Sequence, residues 1–362
     1  IMPSLVGSEM CIRDRNNTEK ILPIKFDRGK RGIEDKATAG EIGQLRSVVG
    51  SLAWISRQTR PDLCYQCSRL QSVVGVCKVK HLIQGNKVLA EAQATADLGI
   101  YFKSGAFSFE DSILMSIHDA SWANEEKIID DTIFPRRSQY GRINCLASPD
   151  FWEGDTGTVH PLGWKSGLIK KMCRSTFRAE TQGCCYAMEA GVAIRALIAE
   201  VLGKKRRHDN DWEHNCAQVK RHIWLTDCQS LHDYVNNPCA AGCEDKRLEI
   251  DLEGLREYIW EHPDGTLKDY VTEDQTDKIR WIDTSAMLCD PLTKAGPKGF
   301  AERLNETMQT GWMSLEASVE SQLKMLRQQK LRMQRAEEKA SKAEGLDENP
   351  AEIEDREDDY EM

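Results

Sequence analysis

Residues 175–203, STFRAETQGCCYAMEAGVAIRALIAEVLG, read as one long helix that closes on Gly203, and strand-like segments frame it on both sides. Before it come SILMSIHDASW (112–122), SQYGRINCLAS (138–148) and HPLGWKSGLI (160–169). After it come the short apolar strand RHIWLTD (221–227), the helix KRLEIDLEGLREYIWEH (246–262) and the strand KIRWID (278–283). Apolar runs bounded by turn residues signal strands, and an apolar stripe at helical spacing signals a helix. A glycine just past the last helical residue stops a helix. Asp290 followed by Pro291 reads as an N-cap and a first helical residue, opening a last helix. The order is three strands, helix, strand, helices, strand, helix. It implies an α/β domain with a mixed sheet and flanking helices over 105–299.

Upstream, 41–104 is helical. EIGQLRSVVGSLAWISRQT places Leu45, Val48, Val49 and Leu52 on one helix face, Pro61 opens a second helix, and LIQGNKVLAEAQATADLG gives a third. This unit is too short to be an enzyme by itself. Residues 16–40 form a polar linker. IMPSLVGSEMCIRDR, covering 1–15, reads as translated sequencing-adapter sequence and is set aside from fold reasoning. Downstream, 300–335 reads as an amphipathic helix with Leu315, Val319, Leu323 and Leu326 at near-heptad spacing, and 336–362 as a disordered acidic tail.

That tail carries twelve acids and three bases, which accounts for the whole net charge of −9 and leaves the rest of the chain near neutral. Basic clusters in WKSGLIKKMCRSTFR and GKKRRH are therefore free to meet phosphates. The thirteen cysteines are odd in number and scattered, which fits reduced thiols rather than a disulfide framework. Cys64 and Cys67 form a C-x-x-C, but Cys239 and Cys243 lie far along the chain, so buried thiols are the better reading than zinc. No apolar run reaches the roughly 18 residues of a membrane span, and no secretory signal is visible. The expectation is an intracellular protein, cytoplasmic or nuclear.

Three acids share one kind of placement. Asp119 ends the first strand of the α/β region, Asp227 ends the fourth, and Glu180 lies in the first turn of the long helix. Asp290 at the last helix is a fourth. Each has a plain structural reading, as a strand end, a helix-dipole partner or a cap. Four carboxylates brought together would raise one another's pKa, and divalent cations relieve that. Hard oxygen ligands suit Mg²⁺ or Mn²⁺, and a pair of such ions suits phosphodiester hydrolysis.

The order strand–Asp, helix with Ala-Glu, TDCQSL and late Asp resembles ribonuclease H. In detail it resembles the copia-type LTR retrotransposon version. HDASWA is similar to that family's Asp-Ala-Asp-Trp-Ala block, and PRRSQYGRINCL to its Arg-Lys-Ser-x-x-Gly-Tyr strand. LGWKSGLIKKMCRSTFRAET is similar to the run ending in Ser-Ser-x-Glu-Ala-Glu, and IRWIDTSAMLCDPLTKAG to the Asp-x-Leu-Thr-Lys ending. LRSVVGSLAWISRQTRPDLCYQCSRLQS resembles the helical segment after the reverse-transcriptase palm. The resemblance implies the C-terminal part of a Pol polyprotein with a ribonuclease H-like mixed five-stranded sheet. It further implies that Asp119, Glu180, Asp227 and Asp290 hold two Mg²⁺ ions, with Mn²⁺ as substitute, and cut the RNA strand of an RNA–DNA hybrid. Lys165, Lys170, Lys171, Arg174 and Arg178 would bind the nucleic acid, Arg178 close to the metals or the phosphate. Trp122 and Trp164 are candidates for stacking or for core packing.

The chain also departs from the family pattern. It has no Tyr-x-Asp-Asp motif, and Asp130-Asp131 in KIIDDTIF follows Asp119, so no polymerase activity is expected. Ser121 replaces a family aspartate, and Leu248-Glu249-Ile250-Asp251 stands where the family has Lys-His-Ile-Asp. SPDFWEGDTGTVHP is longer than the usual strand connection. Two alternatives remain: an inactive relic or co-opted binding module, and a transposase- or integrase-type nuclease. The latter is disfavoured because its glutamate comes last.

Overall fold

In the computed structural model the chain divides into two compact units, Ile1–Glu316 and Ala317–Met362. The structure describes residues 10–129, 132–203, 219–237, 239–240, 242–261, 275–297, 299–327, 330 and 333. Asp130, Asp131 and the 336–362 tail lie outside the described residues.

The first unit begins with a strand, β1 (Met10–Ile12), and a short helix, α1 (Arg15–Glu19). Three helices follow: α2 (Ala39–Gln58), α3 (Cys64–Val73) and α4 (Val79–Ala94). β2 (Ile100–Phe102) then pairs antiparallel with β1, so part of the 1–15 segment is tied into the fold. Thr38 and Glu41 cap α2 reciprocally, satisfying two otherwise orphaned backbone donors. Leu45, Val48, Val49 and Leu52 are buried as their spacing implied, against Leu63, Leu70, Leu82 and Leu89. Pro61 opens a 3₁₀ turn that leads into α3. Arg60 beside it is buried, paired with Asp62 at 2.8 Å and donating to the Thr95 carbonyl at 3.0 Å, which fastens α3 to the end of α4.

The sheet is built from β3 (Ile113–Ile129), β4 (Thr132–Ala147) and β5 (Thr156–Leu168), joined antiparallel. Helix α5 (Thr176–Val201) leads to β6 (His222–Thr226), which pairs parallel with β3. Helices α6 (Gln229–Asn236) and α7 (Lys246–Trp260) precede β7 (Asp277–Trp281), parallel to β6. A four-residue helix, α8 (Asp290–Thr293), comes next, then α9 (Glu302–Thr310) and β8 (Trp312–Ser314). The strand order is β7-β6-β3-β4-β5-β8. The mixed sheet is as expected, but among the described residues it has six strands rather than five.

The sixth strand corrects a second expectation. Residues 300–335 do not form one helix: Gly311 takes a left-handed conformation (φ 65°), ends α9, and turns the chain into β8 along the rim of β5. Leu315 is consequently buried in the main core rather than on a heptad seam. In the second unit, 319–327 are helical, with Val319, Leu323 and Leu326 exposed.

Alternation along the strands creates two cores. Met115, Ile117, Ile143, Ile223 and Leu225 pack with Leu288, Leu292, Leu304 and Met313, and Cys64 of α3 joins the same cluster. On the other face Trp224 and Ile279 pack with Met188, Leu231, Leu252 and Leu255. The long 148–161 connection also has a place here. Phe151 is fully buried, and Arg280 holds the turn through the Phe151 and Gly154 carbonyls at 2.9 and 2.7 Å.

One buried cluster mimics a hydrolase triad. Ser116 Oγ lies 2.7 Å from His222 Nε2, and His222 Nδ1 lies 3.4 Å from Asp277. Trp224 Nε1–H, which can only donate, points at Nδ1 from 3.1 Å, so Nδ1 accepts and the proton sits on Nε2. That tautomer cannot take a proton from Ser116. Arg195 grips Asp277 through two hydrogen bonds of 2.8 and 3.0 Å, and all these groups are sealed from solvent. The network is structural. Gly191 makes it possible, because a Cβ there would stand 2.3 Å from the His222 ring.

Candidate functional site

Leu225 of β6 pairs with Ile117 of β3 in parallel register. Two residues further along each strand, on the same face, come Asp227 and Asp119, so the register itself delivers these two carboxylates side by side. Glu180 reaches the same point from α5. One oxygen from each of Asp119, Glu180 and Asp227 lies within 4.8 Å of the others. Asp119 and Glu180 are buried and Asp227 is partly so.

Ser175 is the N-cap of α5 and accepts from the Arg178 N–H. Glu180 is therefore the fifth helical residue, in the second turn rather than the first as expected. Dipole effects fade beyond the first turn, so the plain capping explanation of Glu180 loses most of its force. Its Oε2 is buried with no hydrogen-bond partner among the described residues. A buried, unsatisfied carboxylate oxygen is costly and requires an explanation.

The electrostatics agree. Burial, then the charges of Asp290 and Asp227, push the Asp119 carboxyl up to about 7, against a pull downward from the Thr293 hydroxyl that donates to its Oδ2. Burial, followed by Asp119 and Asp227, holds Glu180 well above the usual carboxylate range. Asp227 is raised by burial first, with a Thr284 hydrogen bond opposing and Asp290 adding to the rise. Three oxygen-ligand side chains that resist ionisation together form a set a hard divalent cation fits.

Asp290 stands beside the trio rather than in it. Cys289 is the N-cap of α8 and Asp290 its first residue, one position on from the expected cap. Lys294 Nζ lies 2.6 Å from Asp290 Oδ1. Burial opposes the charge of Lys294, yet Asp290, Asp119 and Asp227 together raise its pKa. Lys294 thus supplies the local counter-charge.

Sequence reasoning did not single out Gly141, Thr293 or Lys294. Gly141 lies directly across from Asp119 on β4. A Cβ there would meet Leu292 Cβ at 2.7 Å, Thr293 Cγ2 at 3.0 Å and the Cys289 carbonyl at 3.1 Å. Only glycine lets α8 press down onto the sheet beside Asp119. The signal was present in PLTK, where Thr293 and Lys294 follow Asp290 at helical spacing.

The basic residues separate into two groups. Lys165, Lys170, Lys171 and Arg174 are exposed on β5 and the link to α5, with Lys171 Nζ 3.4 Å from Asp251. Arg178 is buried and paired with Asp245, the N-cap of α7. Successive helical residues turn by about 100°, so Arg178 points nearly opposite to Glu180 and joins α5 to α7. Trp122 is 41% exposed and donates to the Cys173 carbonyl at 3.0 Å. Trp164 packs partly into the core and donates to the Ser56 carbonyl at 2.7 Å. Among the described residues no helix is long and apolar enough to cross a membrane.

Comparison with known proteins bears out the kinship with retrotransposon Pol polyproteins. The chain is 29% identical over 161 residues (44% of its length) to the retrovirus-related Pol polyprotein from transposon RE1 of Arabidopsis thaliana. It is 29% identical over 168 residues (46% of its length) to the corresponding polyprotein from transposon RE2 of the same plant. The matches span 9% and 10% of those relatives, so the chain corresponds to about a tenth of their length. No protein-family model and no solved structure matches the chain.

Proposed function

We propose that this chain is a retrotransposon-type ribonuclease H that hydrolyses the RNA strand of RNA–DNA hybrids. The observation that carries the proposal is the convergence of Asp119, Glu180 and Asp227 within 4.8 Å from two strands and a helix, with one Glu180 oxygen left without a partner among the described residues. Asp119, Glu180 and Asp227 would hold the metal, with Asp290 completing the set. Two Mg²⁺ ions, or Mn²⁺ in their place, supply counter-charge, an activated water and a steadied leaving oxygen when bound.

The chain's own residues do the rest. Thr293 fixes the Asp119 carboxyl by donating to it, and Lys294 steadies Asp290. The exposed Lys165, Lys170, Lys171 and Arg174 grip backbone phosphates without reading sequence, as cations on phosphates do. Hybrid form would be recognised through 2′-hydroxyls and groove shape. Arg178 serves by holding the base of α5 against α7. The relatives are polyproteins by name, and this domain would work as one part of such a polyprotein.

The test is cleavage of an end-labelled RNA–DNA hybrid by the full chain in Mg²⁺ and in Mn²⁺, beside an Asp227→Asn control. Cutting confined to the RNA strand and abolished in the control is the expected result. A folded chain that binds Mg²⁺ but leaves the hybrid intact would refute the nuclease and point to a binding module.

A further inference from the structure

A cleft of about 430 Å³ opens where the upstream helices meet the sheet, walled by α2 and α3 on one side and β5 on the other. Arg57 and Lys165 line it on opposite walls, and among the described residues none of the ten that line it is acidic. Both are exposed, and neither makes an ion pair among the described residues. Most polar groups in the walls are already used. Ser166 Oγ donates to the Leu292 carbonyl and accepts from Gln139, and Trp164 Nε1 donates to the Ser56 carbonyl. Ser68 is different: its hydroxyl accepts from Gln139 at 3.2 Å and keeps its proton to give. The Gln71 amide also makes no hydrogen bond among the described residues. The cleft therefore presents two cations and two neutral donors, and it asks for an anion with several oxygens.

Its position narrows the choice. Ser166 pairs with Gly141, and Gly141 pairs with Asp119, so the three stand in one row across adjacent strands and on one face. At about 4.8 Å per strand the cleft begins about 10 Å from Asp119, about three base steps at 3.4 Å each. Helix α8 spans the interval: the Leu292 carbonyl takes the Ser166 hydroxyl, and Thr293 binds Asp119. An extended polyanion lying across the acid trio would reach the cleft with a later phosphate.

We propose that Arg57 and Lys165, with Ser68 and Gln71, form a second binding site for a phosphodiester of the nucleic-acid backbone, about three nucleotides from the acid trio. The upstream helices then contribute half of a nucleic-acid site instead of serving only as a packed remnant. The proposal rests on the ribonuclease reading for its ligand, a hybrid duplex, but makes a separate claim about binding.

The test uses the full chain in EDTA, where binding is read without cleavage. Anisotropy of a fluorescein-labelled RNA–DNA hybrid is titrated between 50 and 200 mM salt for the wild type and for Arg57→Gln/Lys165→Gln. A charge-matched control, Lys30→Gln/Lys87→Gln, removes two exposed lysines outside the cleft. Unchanged thermal melts establish that both variants are folded. The expected result is affinity at least about tenfold weaker in the cleft variant. Its slope of log K against log salt should fall by about 1 to 2, at roughly 0.9 for each phosphate no longer neutralised. Equal losses in the two variants would overturn the proposal, and a chain that cuts hybrid normally with both cleft cations removed would overturn it too. Cleft-dependent binding in a chain that never cuts would sustain the site and refute the nuclease.

Discussion

Asp119→Asn should make the metal-free protein more stable, although it removes a residue proposed to be essential. The Asp119 carboxyl is pushed up to about 7 from an ordinary 3.8 by burial and by the charges of Asp290 and Asp227. A folded-state pKa above the unfolded value contributes stability that is fully present below pH 3.8 and lost as pH rises through 7. At 1.36 kcal/mol per pH unit, a rise from 3.8 to about 7 costs the ionised form about 4 kcal/mol at pH 8. Asparagine carries no charge, and its amide oxygen can still accept from Thr293. Urea unfolding followed by tryptophan fluorescence, in EDTA at pH 4, 6 and 8, measures the difference. The variant's advantage should be near zero at pH 4 and grow to between about 1 and 4 kcal/mol at pH 8. Mg²⁺ should reverse the order, because a ligand that binds only the folded state stabilises it by RT ln(1 + [L]/Kd). A variant no more stable than wild type at pH 8, or one that gains as much from Mg²⁺, would refute the account of the trio as a strained metal site.

Gly141→Ala should cost about 1–3 kcal/mol through overpacking and weaken Mg²⁺ binding, since its Cβ would push α8 away from Asp119. Denaturation and calorimetric titration of the same variant check both effects. Asp277→Asn should destabilise by about 3–5 kcal/mol by leaving Arg195 buried without its counter-charge, with no effect on Mg²⁺ affinity. The His222 imidazole is held down at about 4, from an ordinary 6.5, chiefly by burial. Its contribution is complete above pH 6.5 and lost as pH falls toward 4, about 3 kcal/mol in all. The stability gap between wild type and His222→Gln should narrow over that range, and a gap that does not change with pH would show that His222 is not buried neutral.

How far the site could be read from sequence depended on what each signal encodes. Asp119 and Asp227 were legible because each follows a short apolar strand run, and parallel register sets them side by side. But β3 runs on to Ile129, so Asp119 lies within its strand rather than ending it as expected, and only Asp227 stands at a strand end. Glu180 was legible as part of α5, but its depth depended on Ser175 acting as the cap, a one-turn matter that apolar periodicity does not resolve. Arg178 was placed by adjacency to Glu180, and adjacency misleads on a helix, where residues two apart face away from each other. The 300–335 segment failed for a related reason: heptad-like spacing outweighed a single glycine, yet Gly311 ends α9 and creates β8. Gly141 could not be recognised at all without the strand pairing that sets it opposite Asp119.

β8 carries a practical consequence. It pairs Trp312–Ser314 with Thr156–Thr158, while α9 and the residues after it place Leu304, Met308, Met313 and Leu315 in the main core. A chain cut at residue 299, where the α/β pattern in the sequence ends, would lose that cover and bare the hydrogen-bonding rim of β5. Open rims of this kind recruit strands from other molecules. Such a truncation would self-associate, and its failure in an assay would report aggregation rather than anything about the acid trio.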